Sequence, residues 1–303
     1  MIRLNRDTLY SFAVVDISQG ASFTIPEHGE RYLSAMVVNE HHYVNAIFHD
    51  AGEHRLTLEQ FGTPYVVLAV RTLVDPADAA DIDAVAALQD AISLDAVAAE
   101  PFAMPDYDTT TLDETRQALL ALARNLHGFD RMFGSAEQVD PVRHLIGTAA
   151  GWGGLPSFEA SYIGVDPRLP RGRYELTVRD VPVDGFWSIS VYNAEGYFEP
   201  NERGAYTINS ITGVRDEDGS ITVRFGDHPT GCRTCSRSPT DGTIWCGCTV
   251  HVPRSSTAPG PSLPAAVCGM TGLLTHRRPR RLSRSSRPPR ARRSRGRAPR
   301  ERP

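Results

Sequence analysis

Between residues 11 and 74 the apolar positions come in short runs, Phe12–Ile17, Ser22–Ile25, Tyr32–Val38, Tyr43–Phe48, Arg55–Leu58 and Tyr65–Leu73. The runs are rich in β-branched and aromatic side chains and are parted by Gly, Pro and Asn, a rhythm that predicts an antiparallel sheet or sandwich. The period then changes. Asp75-Pro76 offers an N-cap and a first-turn proline, after which Ile82, Val85, Leu88 and Ile92 fall on one helical face. Thr111 to Glu114 reads as a capping box opening a second helix with the stripe Leu119, Leu122, Leu126 and Phe129, and Ser135 to Gln138 as another box before Val139 to Ile146. Strands return as Tyr162–Val165, Tyr174–Val178, Phe186–Tyr192, Tyr206–Asn209 and Ile221–Phe225, with the turn Asp216 to Gly219 joining the last two. The expectation is a mainly β chain with a helical insert (α+β), built as two antiparallel β-sandwich or jelly-roll-like domains. The first occupies 1–74, the helical insert 75–150 and the second β domain 151–231.

Composition sets residues 232–303 apart. All five cysteines (Cys232, Cys235, Cys246, Cys248, Cys268) lie there, with 16 of the 32 arginines and two acids, Asp241 and Glu301, so this tail carries +14 where residues 1–230 carry −18. The chain contains no lysine, which points to a GC-rich coding sequence and excludes a Walker-type phosphate loop, a pyridoxal Schiff base and a lysine base. Residues 1–230 also lack Cys, which removes thiol nucleophiles, iron–sulfur ligation and disulfides from that part. G-x-S-x-G, H-E-x-x-H and G-x-G-x-x-G are all absent, and no pattern calls for a cofactor. No apolar run reaches the roughly 20 residues that a membrane-spanning helix needs. Met1 is followed by Arg3, Asn5, Arg6 and Asp7 without a leader's apolar core, so the chain as it stands reads as cytoplasmic.

Four segments resemble a known bacterial family. They are Arg3 to Tyr10 (Arg-Leu-Asn-Arg-Asp-Thr-Leu-Tyr), Val38 to Tyr43 (Val-Asn-Glu-His-His-Tyr), Thr148 to Gly153 (Thr-Ala-Ala-Gly-Trp-Gly) and Val181 to Asn193, the last followed by Gly196 to Pro200. Together they are similar to proteins that pair domain of unknown function 1254 with domain of unknown function 1214, over essentially all of residues 2–230. The resemblance implies two β-rich domains, no assigned reaction for most members, and a further N-terminal stretch ahead of Met1.

The resemblance also implies how the second domain should continue. Members run on after the Phe225-like position with a segment resembling Trp-Asn-Tyr-Leu-Val-Arg-Leu-Tyr-Arg-Pro, which this chain does not show. The stretch Cys232 to about Pro264 can nevertheless be encoded by codons that spell that segment in a shifted frame. The tail therefore reads as off-frame and disordered, thrown by a one- or two-base change near Gly226 to Gly231. Two other readings of the tail are weaker. Cys232 and Cys235 with Cys246 and Cys248 suggest a zinc knuckle, but the second pair is too close for ribbon spacing. The run Arg277 to Arg302 would hold phosphate backbones through charge, but it lacks the aromatic interleaving of single-strand binders, so no specific nucleic acid is expected.

Candidate chemistry lies in the matched segments. Asn5, Arg6, Asp7 and Tyr10 precede or open the first strand, and Arg6 with Asp7 suits an anionic or hydroxylated ligand or, equally, an internal ion pair. Glu40, His41, His42, His49 and His54 form a local imidazole cluster, although His42 and His49 would face opposite sides of an unbroken strand and no metal is assigned. Trp152, Trp187, Tyr192 and Tyr197 read as sheet packing or as a stacking platform. Two functions follow. One is a small polar ligand bound between the domains and lined by Asn5, Arg6, Asp7, Tyr10, His42, Trp187 and Tyr192, with this copy, its frame thrown, read as non-functional; the other is a non-catalytic structural or interaction protein in which the same residues only join the domains. No oligomeric state is legible. Losing a strand would expose a neighbour's edge, so the expressed 303-residue chain is expected in the insoluble or degraded fraction, and a monodisperse preparation that melts cooperatively would contradict the shifted frame. An independent read of the coding DNA should yield Trp-Asn-Tyr followed by Arg-Leu-Tyr-Arg-Pro in another frame.

Overall fold

A computed structural model describes residues 5–124, 126, 128–163, 173–193, 196–201 and 204–226, with the backbone of 235–236 and 275–276. Its organising strand is β6 (Tyr65–Leu73), whose β-branched centre pairs antiparallel on one side with β1 (Thr8–Asp16) and on the other with β3 (Leu33–Asn39). β4 (Val44–Phe48) completes a four-stranded sheet in the order β1-β6-β3-β4. Strand alternation gives this sheet two faces. One carries Val15, Val37, Val66, Leu68 and Val70, and these share a core with Phe23, Ile25 and Leu56 of a second sheet. That second sheet has the order β5-β2-β7, made from β2 (Ala21–Ile25), β5 (Gly52–Leu56) and β7 (Ser93–Ala96). The other face of the first sheet carries Met36, Val38 and Ala69 and is covered by Leu155, Ala160 and Tyr162.

The helices start at side-chain caps. Thr57 accepts from the Gln60 amide and opens the single turn α1 (Leu58–Phe61), which ends at Gly62 with a φ of 74°, a conformation open to glycine. Asp78 caps α2 (Ala79–Asp90), Asp108 caps α3 (Thr109–Ala123), and Asp140 caps α4 (Pro141–Ala150) with proline in the first turn. In the second half β8 (Tyr174–Val178) pairs antiparallel with β11 (Ile221–Phe225), and β9 (Ser188–Ser190) with β10 (Thr207–Asn209). Tyr174, Leu176, Trp187, Ile189, Ile208 and Phe225 join these pairs in one core. Two dipeptides, β12 (Cys235–Ser236) and β13 (Thr275–His276), flank β11 and β8. Of the cysteines only the Cys235 backbone is described; the rest of the cysteine pattern and the arginine run lie outside the described residues, as do Gly164 and Val165.

Several expectations need correction. Asp75 does not cap the first helix. Its carboxylate takes the Ala77 amide while its own amide donates to Asp81, and the helix begins four residues later. Residues 93–96 are a strand of the first β unit rather than part of a helical insert, because β2 offers them an open edge. Thr111 lies inside α3, and the stripe through Leu119 and Leu122 buries no side chain there. At Ser135 the box half-forms, Gln138 Oε1 accepting from the Ser135 amide at 3.0 Å, but it closes a turn rather than opening a helix. The Asp216 to Gly219 turn links Arg215 to Ile221, not β10 to β11, which lie in different sheets.

Gly154 sits where a Cβ would overlap the Phe133 ring. Gly154→Ala is therefore expected to destabilise the chain by about 2 kcal/mol through overpacking, read as a lower urea midpoint; an unchanged midpoint would show that the ring is free to move.

Candidate functional site

A charge sits in the middle of the first sheet. Arg71 of β6 stands in register between Tyr10 of β1 and Ser34 of β3, on the face that Tyr162 helps to cover. Its side chain lies in the interior, with the residue 8% exposed; the Tyr10 and Tyr162 hydroxyls lie close enough to act on the guanidinium as hydrogen-bond partners, but Nε and Nη2 have none of good geometry. No carboxylate among the described residues forms an ion pair with it. Burial opposes the charge, while Tyr32, Tyr10 and Tyr162 favour it, and the balance holds the guanidinium above its ordinary pKa, charged at any working pH.

The surrounding groups donate. Asn5 Nδ2 donates to the Tyr10 hydroxyl at 2.9 Å, and the amide orientation is fixed because Asn5 Oδ1 accepts from the Asp7 and Thr8 amides at 2.9 and 3.0 Å. The Leu155 amide donates to the Tyr162 hydroxyl at 3.2 Å. Each phenol oxygen thus accepts from an amide and keeps its own proton to give, beside a guanidinium that can only donate. Burial raises the Tyr162 pKa, although Arg71 pulls the other way, so this phenol stays protonated at neutral pH. Tyr32, pushed up to about 12 by burial, donates to Ser34 Oγ at 2.7 Å and sets its ring edge-on to Phe186 of the second half at 5.3 Å. The nearest negative charge is Glu159, buried and bonded to His49, which acts on Tyr32 but forms no ion pair with Arg71.

The other expected residues fall into different settings. Asp7 is a pin between the halves. It is fully buried, and its Oδ1 accepts from Asn209 Nδ2 at 2.9 Å and from Thr207 Oγ1 at 3.4 Å. Burial raises its pKa, with Asn209, Ser188 and Thr207 working against that, and Oδ2 is left without a partner. Arg6 does not pair with Asp7; its guanidinium lies 4.5 Å from the centre of the Tyr206 ring. His42 holds a φ of 64° in the β3–β4 turn, its Nε2 accepting from the Gly153 amide at 2.8 Å. Nδ1 therefore carries the proton and donates to Thr148 Oγ1 at 2.8 Å, and Thr148 passes its own to the His144 carbonyl. Both ring nitrogens are satisfied from within the chain. Burial, with His144 stacked alongside, lowers the pKa of His42 to about 4.

Trp187 and Tyr192 are buried in the second half, Trp187 in the core of β8 to β11 and Tyr192 against Phe198 at 4.7 Å. The lining expected from Asn5 through Tyr192 is thus not one site: Asn5 and Tyr10 belong to the Arg71 cluster, Asp7 and Arg6 to the seam, and His42, Trp187 and Tyr192 to packing. The imidazole cluster also disperses. His49 binds the Leu33 carbonyl and Glu159, His54 the Asp50 carbonyl, and among the described residues no group of three or more His, Cys, Asp or Glu could hold a metal ion. Sequence reasoning passed over Arg71, Tyr32 and Tyr162. The available signal was Arg71 itself, the one charge in the strand run Tyr65–Leu73.

The class defined by this architecture is a chain of two β-rich halves, and it is shared with solved structures. The VPA0106 protein of Vibrio parahaemolyticus superposes with a TM-score of 0.67 at 15% identity, over 82% of this chain and 85% of that one. A putative uncharacterized protein from Burkholderia cenocepacia gives a TM-score of 0.52 at 14% identity, over 84% of this chain and 75% of that one. Residues 167–236 match the family described as protein of unknown function (DUF1214), and the match ends four residues beyond Cys232. No curated protein matches the chain. No helix among the described residues is long and apolar enough to cross a membrane.

His42 supplies a pH test. Its folded pKa lies below its ordinary value of 6.5, so the unfolded chain binds the extra proton, and the contribution present above pH 6.5 is lost as pH falls toward 4. His42→Asn, which tolerates the left-handed backbone, should remove up to about 3 kcal/mol of that acid sensitivity. Parallel stability curves for the two chains between pH 6.5 and 4 would contradict a buried neutral imidazole.

Proposed function

We propose that the chain is a binding protein for a small organic anion, held on the first sheet beside the seam between its halves by Arg71, Tyr10 and Tyr162. The observation that carries the reading is the pair of unpartnered nitrogens on a buried guanidinium. A charge removed from water without a partner is destabilising, and one retained there implies an acceptor that arrives from outside. A carboxylate suits Nε and Nη2 because its two oxygens match the guanidinium fork. The reading is one of binding and assigns no reaction. A purely structural role is favoured for the other expected residues, since Asp7 and His42 spend their bonds on the chain itself.

The first half is proposed to be of the 1254 type, on the strength of the segments Arg3 to Tyr10 and Val38 to Tyr43. A shifted frame is proposed for the tail. It is supported by the charge contrast at residue 231 and by a family match that stops close to that point.

The test uses the full chain kept in solution as a solubility-tag fusion. Short carboxylates such as propionate and benzoate should raise its melting temperature, by about 2.7 kcal/mol of stabilisation at a hundred times the dissociation constant. Arg71→Met should abolish that shift while making the ligand-free chain about 1–3 kcal/mol more stable, because a buried unpaired charge is gone. A carboxylate response that survives in Arg71→Met, or a ligand-free Arg71→Met chain that is strongly destabilised, would overturn the reading.

A further inference from the structure

The face that holds Arg71 continues past it. β1 is an edge strand, and the cover formed by Leu155, Ala160 and Tyr162 packs with Met36, Val38 and Ala69; it reaches β1 at Tyr10, through Tyr162, and shares no core cluster with Phe12 or Val14. Along β1 the same-face positions after Tyr10 are Phe12 and Val14, in register with Ala69 and Val67 of β6. Phe12 is 55% and Val14 58% exposed, unusual values for apolar side chains on a strand whose opposite face is in the core. Phe12 lies flat against Tyr10, the rings parallel to within 1° at 5.4 Å. An apolar shelf therefore leads directly away from the guanidinium. From position 10 to position 14 it is about 14 Å long at the rise of a strand.

A donor-only polar end and an apolar run in one line fit one kind of molecule. Resting on the anion-binding reading above, we infer that the ligand is a free, single-chain aliphatic carboxylate, its head on Arg71, Tyr10 and Tyr162 and its chain laid along Phe12 and Val14. The charge selects the head, since a neutral alcohol would leave the guanidinium uncompensated. The shelf selects the tail. Short acids reach only the polar end, and each further methylene that Phe12 and Val14 cover removes apolar surface from water.

The experiment is a calorimetric titration of the full-length fusion with acetate, hexanoate, octanoate, dodecanoate and dodecanol, all below their micelle concentrations. Affinity is expected to rise with chain length, by up to about fourfold per methylene that is covered, and to favour dodecanoate over dodecanol. Phe12→Ser with Val14→Ser, its fold shown intact by circular dichroism, should flatten the rise in affinity from hexanoate to dodecanoate; an unchanged rise would overturn the shelf as the seat of the chain. A flat dependence in the unaltered chain with binding still abolished by Arg71→Met would overturn the aliphatic ligand and keep the anion site. Dodecanol bound as tightly as dodecanoate would overturn the head-group assignment. Absence of binding for every carboxylate would overturn the anion reading itself, and this inference with it.

Discussion

A positive charge held without a carboxylate partner in an inner strand of a sheet is the constraint around which this structure arranges itself. β6 is a run of β-branched and apolar residues suited to burial on both sides, and Arg71 interrupts it near its end. Three tyrosines close around that interruption, one from the edge strand, one from the approach to β3 and one from the segment that covers the sheet. Each contributes ring area to packing and a hydroxyl to the polar centre, a combination that aliphatic residues could not supply. The arrangement is well packed and electrostatically incomplete.

The same region joins the halves. Asp7, two residues from Asn5 and three from Tyr10, reaches Asn209 and Thr207 of β10, while Tyr32 meets Phe186. The residues that orient the Tyr10 hydroxyl are thus next in the chain to the residues that fasten the second half. A ligand on Arg71 would therefore be felt at the seam, through the short stretch from Asn5 to Tyr10. His42 serves a separate joint, tying the β3–β4 turn to α4 and to Gly153.

Strands were the legible part of the sequence. Phe12, Tyr32, Tyr65 and Ile221 mark runs that the structure keeps, since period-two alternation and β-branching reflect burial directly. Helix starts were less so. Asp75-Pro76 and Asp78 are both acceptable caps by local chemistry, and the choice was made at a distance by Arg31, which pairs with Asp81 and fixes where the first turn begins. β7 was hidden because four exposed residues, Ser93–Ala96, carry no apolar alternation; they are strand because β2 has a free edge. At the site, Asn5 and Tyr10 were visible as polar residues entering a strand. Arg71 was not singled out, because a single charge in an apolar run reveals its role only once the register shows which phenols surround it. Trp187 and Tyr192 attracted attention by their size, and size proved to be a property of the core.

The central claim is that Nε and Nη2 of Arg71, buried and without a hydrogen-bond partner in the chain, take an acceptor from outside it. The most direct measurement is a crystal structure of the protein with a short carboxylate, read at that one side chain. Two carboxylate oxygens bridging Nε and Nη2 at about 2.7–2.9 Å, with the Tyr10 and Tyr162 hydroxyls turned toward them, is the predicted result. Density showing both nitrogens already bonded to a carbonyl or carboxylate of the chain itself would contradict it.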